Sequence, residues 1–184
     1  MKICLASGNR PYTNFDHCLD LNPGNNVDMV QDVTRLDNFN DSSVAYIFCS
    51  HMLPYYDWKE AETRILPEWH RVLCIGGMLR ISVMDFGVIT DMYKAGKICL
   101  EEIVGPMYGK MPINGCFNYE KTAYDYRTLN AMLRRVGFKG VKKYDWRNTE
   151  HANIDDHSQA YIPHMDKEHG TLISLNVEAI KVGV

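Results

Sequence analysis

Apolar residues come in short blocks through the first fifty positions and at helical spacing after them. Lys2–Ala6 (KICLA), ended by Ser7-Gly8-Asn9, predicts a buried strand. His17–Leu21 and Val27–Val30 predict two more around the turn Asn22-Pro23-Gly24-Asn25, and Val44–Ser50 (VAYIFCS) is the clearest strand of all. From Trp58 to Leu73 the period turns helical, with Ala61, Ile65, Leu66, Trp69, Val72 and Leu73 on one face. Pro67 lies inside that run, lacks an N–H, and predicts a kink or break. Gly76-Gly77 then reads as the turn that stops the helix and feeds the alternating strand Met78–Val83. A helix followed so closely by a strand builds a crossover between parallel strands rather than a hairpin. Helices over Phe86–Ala95 and Asp125–Val136, the latter with Asp125 at its start and Gly137 as its stop, come next. Strands over Val141–Trp146 and Leu172–Ile180 complete the series.

This alternation predicts an α/β fold: a Rossmann-like three-layer sandwich with a mostly parallel sheet and a C-terminal strand pair. A parallel crossover takes a dozen or more residues, whereas Ser7–Asp16 offers ten, so the N-terminal helices must be abbreviated. At 184 residues the whole span 1–184 reads as a single domain. Residues 98–121, punctuated by Gly105, Pro106, Gly109, Pro112 and Gly115, suit a lid insertion, and 147–171 a polar loop. Sheets of this kind hold ligands outside the carboxyl ends of their strands. That singles out the loops Ser7–Arg10, Leu21–Asn22, Asp32–Thr34, Ser50–Tyr56 and Met84–Phe86.

A formal net charge of −3 gives no electrostatic case for nucleic acid or for an anionic membrane. The six cysteines form no CxxC pair, no apolar run reaches eighteen residues, and no signal peptide is visible, so a cytoplasmic protein is expected. His151, Asp155, Asp156, His157, His164, Asp166 and His169 crowd one stretch. Their spacing matches no metal signature such as HExxH, so the expectation is a polar surface loop and no metal.

Read in order, the strand-end loops resemble those of the small type 11 methyltransferase-domain proteins, a family of class I S-adenosylmethionine-dependent methyltransferases. In that family the first strand ends in a Gly-x-Gly turn; here the matching residues are Ala6-Ser7-Gly8, followed by Asn9. Asp20, with Leu21 after it, falls where the family carries an acidic residue at the end of its second strand. The resemblance implies that S-adenosylmethionine is bound by Ala6, Ser7, Gly8 and Asn9, by Asp20 and Leu21 at the ribose, by Asp32 and Val33 at the adenine, and by Ser50. After the fourth strand the family reads Ser-Ser-His-x-Leu-Glu-His, against Ser50-His51-Met52-Leu53-Pro54-Tyr55 here. His51 stays, and Pro54-Tyr55 replaces the Glu-His pair.

The implied activity is methyl transfer to an oxygen or nitrogen of a small-molecule substrate. His51 is then a candidate base and Tyr55 a second catalytic candidate, with Tyr56 and Asp85 near the same mouth. Ala6, the short front connections and the lost Glu-His pair also fit a methyltransferase-fold binding or scaffolding protein without turnover. A nicotinamide enzyme fits less well, since GxGxxG is missing after the first strand. The sequence leaves homo-oligomer formation open.

Overall fold

The computed structural model describes residues 1–113 and 115–183. Position 114, within the expected lid segment, and position 184, at the end of the expected domain, lie outside the described residues. Strands β1 (Lys2–Leu5), β2 (His17–Asp20), β3 (Met29–Val30), β4 (Val44–Ser50) and β5 (Leu73–Met84) run parallel in the order β3-β2-β1-β4-β5. A hairpin of β6 (Lys110–Ile113) and β7 (Cys116–Tyr119) and a small ladder of β9 (Tyr161–Ile162) with β10 (Thr171–Leu172) stand apart from this sheet. β8 (Phe138–Lys143) and β11 (Ser174–Lys181) extend it, with β11 inserted between β5 and β8 and antiparallel to both. The result is a seven-stranded, mostly parallel sheet, the expected Rossmann-like α/β architecture with its antiparallel closing strand.

Strand alternation sorts side chains cleanly onto two faces. Ile3, Leu5, Leu19, Ile47 and Cys49 face one side, joined there by Leu79, Ile81, Val83, Leu175 and Val177. Helices cover this side. One is the run Trp58–Val72, made of α1 (Trp58–Glu60), a π-helical segment Ala61–Ile65, and α2 (Leu66–Val72). The π-segment ends just before Pro67, so the break the proline predicts is taken up as a widened turn. Trp69 is the largest fully buried side chain there, and its Nε1 donates to Val33 O at 2.9 Å. The second helix on this face is α5 (Tyr126–Val136), which presents Leu129, Met132 and Leu133 to the same core.

Among the described residues no α-helix covers the other face over β1, β2 and β4. Cys4, Cys18, Tyr46 and Phe48 are covered instead by Tyr12 and Phe15 from the β1–β2 connection and by Ile154. His151 is fully buried and stacks on Phe48 with ring centroids 3.9 Å apart. Asp156, Ser158 and Gln159 are buried nearby. The stretch expected to be a polar surface loop is therefore the layer that replaces the abbreviated helices. Part of its polarity is satisfied internally: Tyr12 Oη donates to Asp156 Oδ2, Asn176 Nδ2 to Ser158 O, and Gln159 Nε2 to Ile154 O, while both ring nitrogens of His151 and Ser158 Oγ have no partner among the described residues. Farther along this face, α3 (Phe86–Lys94) buries Ile89 and Met92, and α4 (Leu100–Tyr108) lies beyond it.

Gly76-Gly77 departs from its expected role as a turn. α2 stops at Val72, and β5 begins at once. Val44 pairs with Leu73 and Tyr46 with Met78, so the glycines sit in a bulge inside the strand. Gly76 takes φ +80, and a Cβ on Gly77 would lie 2.8 Å from Cys74 O. β8 starts at Phe138, three residues ahead of the expected position, and Trp146 falls in a short 3₁₀ turn. Among the described residues no helix is long and apolar enough to cross a membrane.

Two stability measurements follow. Trp69→Ala empties a sealed core site and should cost about 3–5 kcal/mol in urea unfolding, whereas Trp58→Ala, at a side chain 47% exposed, should cost far less. The second concerns acid. Burial pushes the His151 imidazole down to about 4, so the folded protein keeps it neutral while the unfolded chain protonates it near the ordinary histidine value. Its contribution is thus fully present above about pH 6.5 and lost as pH falls toward 4. His151→Phe should flatten the acid loss of unfolding free energy by on the order of 2 kcal/mol, read from urea midpoints at pH 7 and pH 4.

Candidate functional site

At the carboxyl end of β1 the backbone turns through two left-handed residues, Ala6 (φ +52) and Gly8 (φ +58). An L-side chain in this conformation costs about 1–2 kcal/mol, so Ala6 occupies a glycine-type position at some strain. Asp20, the last residue of β2, ties the turn down: its Oδ2 accepts from Gly8 N and its Oδ1 from Asn22 N, both at 2.8 Å. A carboxylate has about four acceptor positions, so Asp20 keeps lone pairs for a ligand. At the end of β4, His51 is also left-handed (φ +54) and nine-tenths buried. Its Nδ1 lies 3.2 Å from Ser50 Oγ, and its Nε2 has no hydrogen-bond partner among the described residues. Burial, then the neighbouring His157 and Arg10, push the His51 imidazole down to about 3. It is therefore neutral near pH 7.

These ends border a cavity of about 740 Å³, within the range of small-molecule and cofactor sites. Ala6, Gly8, Asp20, Ser50, His51 and Tyr55 line it together. The other predicted residues stay off its wall. Ser7 is buried behind the turn, and Asn9 holds the neighbouring loop by accepting from Asn26 N at 3.0 Å. Leu21 is 40% exposed, and Val33 packs in the core. Asp32 lies off the cavity and braces its own turn, where Oδ1 accepts from both the N and Oγ1 of Thr34. Asp85 caps α3 by accepting from Gly87 N and Val88 N, and it pairs with Lys143.

The opposite wall comes from segments with no regular pattern in the sequence. α4 and the β6–β7 hairpin bring Glu102, Pro106, Gly109, Met111 and Glu120 to the cavity, and residues 155–165 bring Asp155, His157 and Gln159 among others. Arg10 joins the strand-end side, with its Nε donating to Asp155 O at 2.9 Å. Burial and the nearby Glu120 push the Tyr55 phenol up to about 12, so it remains a hydroxyl. Among the described residues no three histidine, cysteine or carboxylate side chains converge as a metal site. Glu120 is the residue that sequence reasoning missed. Its only local mark is a carboxylate directly after the aromatic run Phe117-Asn118-Tyr119.

An elongated ligand with hydroxyls and a charged end fits this donor set. Asp20 offers acceptor lone pairs, Arg10 a cation, and His51 Nε2 an unpaired buried nitrogen on the same cavity.

No protein-family model matches the sequence, and no curated protein matches it. Solved structures do. An S-adenosylmethionine-dependent methyltransferase from Archaeoglobus fulgidus superposes with a TM-score of 0.59 at 13% identity, over 97% of this chain and 85% of that one. A Thermotoga maritima methyltransferase described as a possible histamine N-methyltransferase gives 0.57 at 14%, over 98% and 81%. The Burkholderia thailandensis 1,6-didemethyltoxoflavin-N1-methyltransferase, solved with its substrate and S-adenosylhomocysteine, gives 0.53 at 15%, over 98% and 71%. With its sheet order and strand-end cavity, the chain has the Rossmann-like α/β fold of S-adenosylmethionine-dependent methyltransferases.

Proposed function

We propose that this protein is an S-adenosylmethionine-dependent methyltransferase that acts on a small molecule. The observation that carries the reading is the Asp20 carboxylate, which lies on the cavity at the end of β2 while bonded to Gly8 N of the turn after β1. This is where a doubly wound sheet binds a nucleoside-containing ligand. Ala6, Gly8, Asp20, Ser50 and His51 would hold the cofactor, with Asp20 accepting from ribose hydroxyls and Arg10 facing the carboxylate of the amino-acid end. When bound, the cofactor supplies an electrophilic methyl group on sulfur.

The chain's own residues then have three tasks. α4, the hairpin and residues 155–165 exclude water from the cavity, which strengthens every polar contact inside it. Tyr55, kept protonated, donates a hydrogen bond to the acceptor and so aligns it. His51, with its pKa held near 3, is a hydrogen-bonding group here, because a base so weak takes few protons at neutral pH. Ser7, Asn9, Leu21, Asp32 and Val33 support the binding loops from behind. That two of the structural neighbours bear names of small-molecule methyltransferases supports the same substrate class.

Isothermal titration with S-adenosylmethionine and S-adenosylhomocysteine tests the reading. Binding in the micromolar range is expected, weakened at least about tenfold by Asp20→Ala through loss of charge-assisted hydrogen bonds. Absence of binding at millimolar ligand would overturn it. Ala6→Gly removes both a methyl group from the cavity wall and the left-handed strain of about 1–2 kcal/mol. It should tighten S-adenosylhomocysteine in the same titration without lowering the melting temperature.

A further inference from the structure

Glu120 stands on the cavity with no part in holding the strand-end loops. It is 9% exposed, lines the cavity wall, and has no hydrogen bond or charge holding it among the described residues. Its position is fixed by the residues that follow. Lys121 N and Thr122 N donate to Pro54 O at 2.8 and 3.2 Å, and Thr122 Oγ1 donates to Tyr56 O at 3.1 Å. The carboxylate is thereby bolted to the same turn that carries Tyr55. Gly109, at the end of α4, measures how close the two are. A methyl built there would lie 3.0 Å from Glu120 Oε1 and 3.3 Å from Tyr55 Oη, so both oxygens converge on one spot of the wall.

A buried carboxyl without a partner is costly, and its cost is recovered when a ligand brings hydrogen-bond donors and positive charge. We infer that Glu120 receives the acceptor nitrogen of the proposed methyl transfer, and that the substrate is a small molecule bearing an aliphatic amine, paired with Glu120 and deprotonated by it. The inference rests on the methyltransferase reading for the reaction but not for the amine site itself. Burial pushes the Glu120 carboxyl up to about 8, within a few units of a free alkylammonium near 10, so a proton can pass between them. Near pH 7 the carboxyl of the empty site is therefore mostly protonated; an arriving ammonium favours its ionised form, the proton leaving to water, whereas a neutral alcohol brings no charge that would do so.

The step balances. Glu120, whose own proton has left to water on pairing with the ammonium, takes one proton from it, and the freed nitrogen lone pair forms the new N–C bond. The C–S bond breaks with its electron pair left on sulfur, and the methylated product departs as an ammonium while Glu120 returns its proton to water.

The test uses benzylamine and benzyl alcohol, probes of one shape, titrated into protein saturated with S-adenosylhomocysteine. Benzylamine should bind about tenfold more tightly than the alcohol. Glu120→Gln should bring the two to near equality while leaving S-adenosylhomocysteine affinity unchanged. Equal affinities in the unaltered protein, or a preference that survives Glu120→Gln, would overturn the inference. Carboxyl ¹³C NMR on protein without nucleoside gives an independent reading. The resonance absent from Glu120→Gln should titrate well above the other glutamates and shift when benzylamine is added, and an ordinary titration with no shift would count against the site. Failure of S-adenosylhomocysteine to bind would weigh against the cofactor reading alone, since the NMR arm does not depend on it.

Discussion

Arg80 carries a positive charge onto the face of the sheet that no α-helix among the described residues covers over β1, β2 and β4, and much of the molecule is arranged around satisfying it. The guanidinium sits between the rings of Tyr46 and Tyr144, 5.6 and 5.0 Å from their centroids. It pairs with Glu178 of β11 and with Glu150, each at 3.0 Å. Glu150 also takes Lys2, from the opening strand. One charge cluster therefore joins β1, β5, β11 and the start of the polar covering segment. A buried ion pair adds little net stability over an apolar replacement, yet losing one partner is expensive because the other is stranded. The cluster ties Glu150, the first residue of the covering segment, to β1 and β5, and the bonds of Tyr12 to Asp156 and of Asn176 to Ser158 hold the residues that follow.

The site divides along the same line. Its strand-end half is built from short loops whose geometry is set locally, by left-handed residues and by the Asp20 carboxylate bonded to Gly8 and Asn22. Its outer half consists of segments brought in from far along the chain, and these are held by a few specific bonds to Pro54 O, Tyr12 Oη and Arg10. The two halves meet at Tyr55. Pro54 carries no side-chain carboxyl where the resembled family has glutamate, and Glu120 supplies a carboxylate to the same neighbourhood from the hairpin.

Periodicity made the sheet and its helices legible because both respond to burial averaged over many residues. β4, the helical face of Trp58–Val72 and α5 with its Asp125 cap all follow this rule. The strand-end positions of Asp20, Ser50 and His51 were readable for a related reason, since the ends of strands are where a run of apolar residues stops. Gly76-Gly77 was misread because a left-handed glycine serves a bulge as well as a turn, and only the pairing of Val44 with Leu73 distinguishes them. The bonds from Thr34 to Asp32 Oδ1 could not be read in advance, because they are a matter of side-chain geometry. His151 and Glu120 were out of reach for a deeper reason. Their burial comes from contacts with Phe48 and with the 53–55 turn, a hundred and nearly seventy positions away, and nothing in their own neighbourhood signals it.

The placement of β11 bears on how the molecule is assembled. It lies between β5 and β8, pairing with both, although it follows each of them in the chain by a long interval. Until it arrives, β5 has an open edge beside the apolar Leu79, Ile81 and Val83, and β8 has no partner in the sheet. Pairing over such separations is slow because the loop must be closed before the contacts repay it. As the chain leaves the ribosome, the parallel half can form early, but the edge of β5 stays available to other chains until β11 follows. The vulnerable interval for aggregation is thus the synthesis of residues 85–181, during which one sheet edge is the surface that needs shielding.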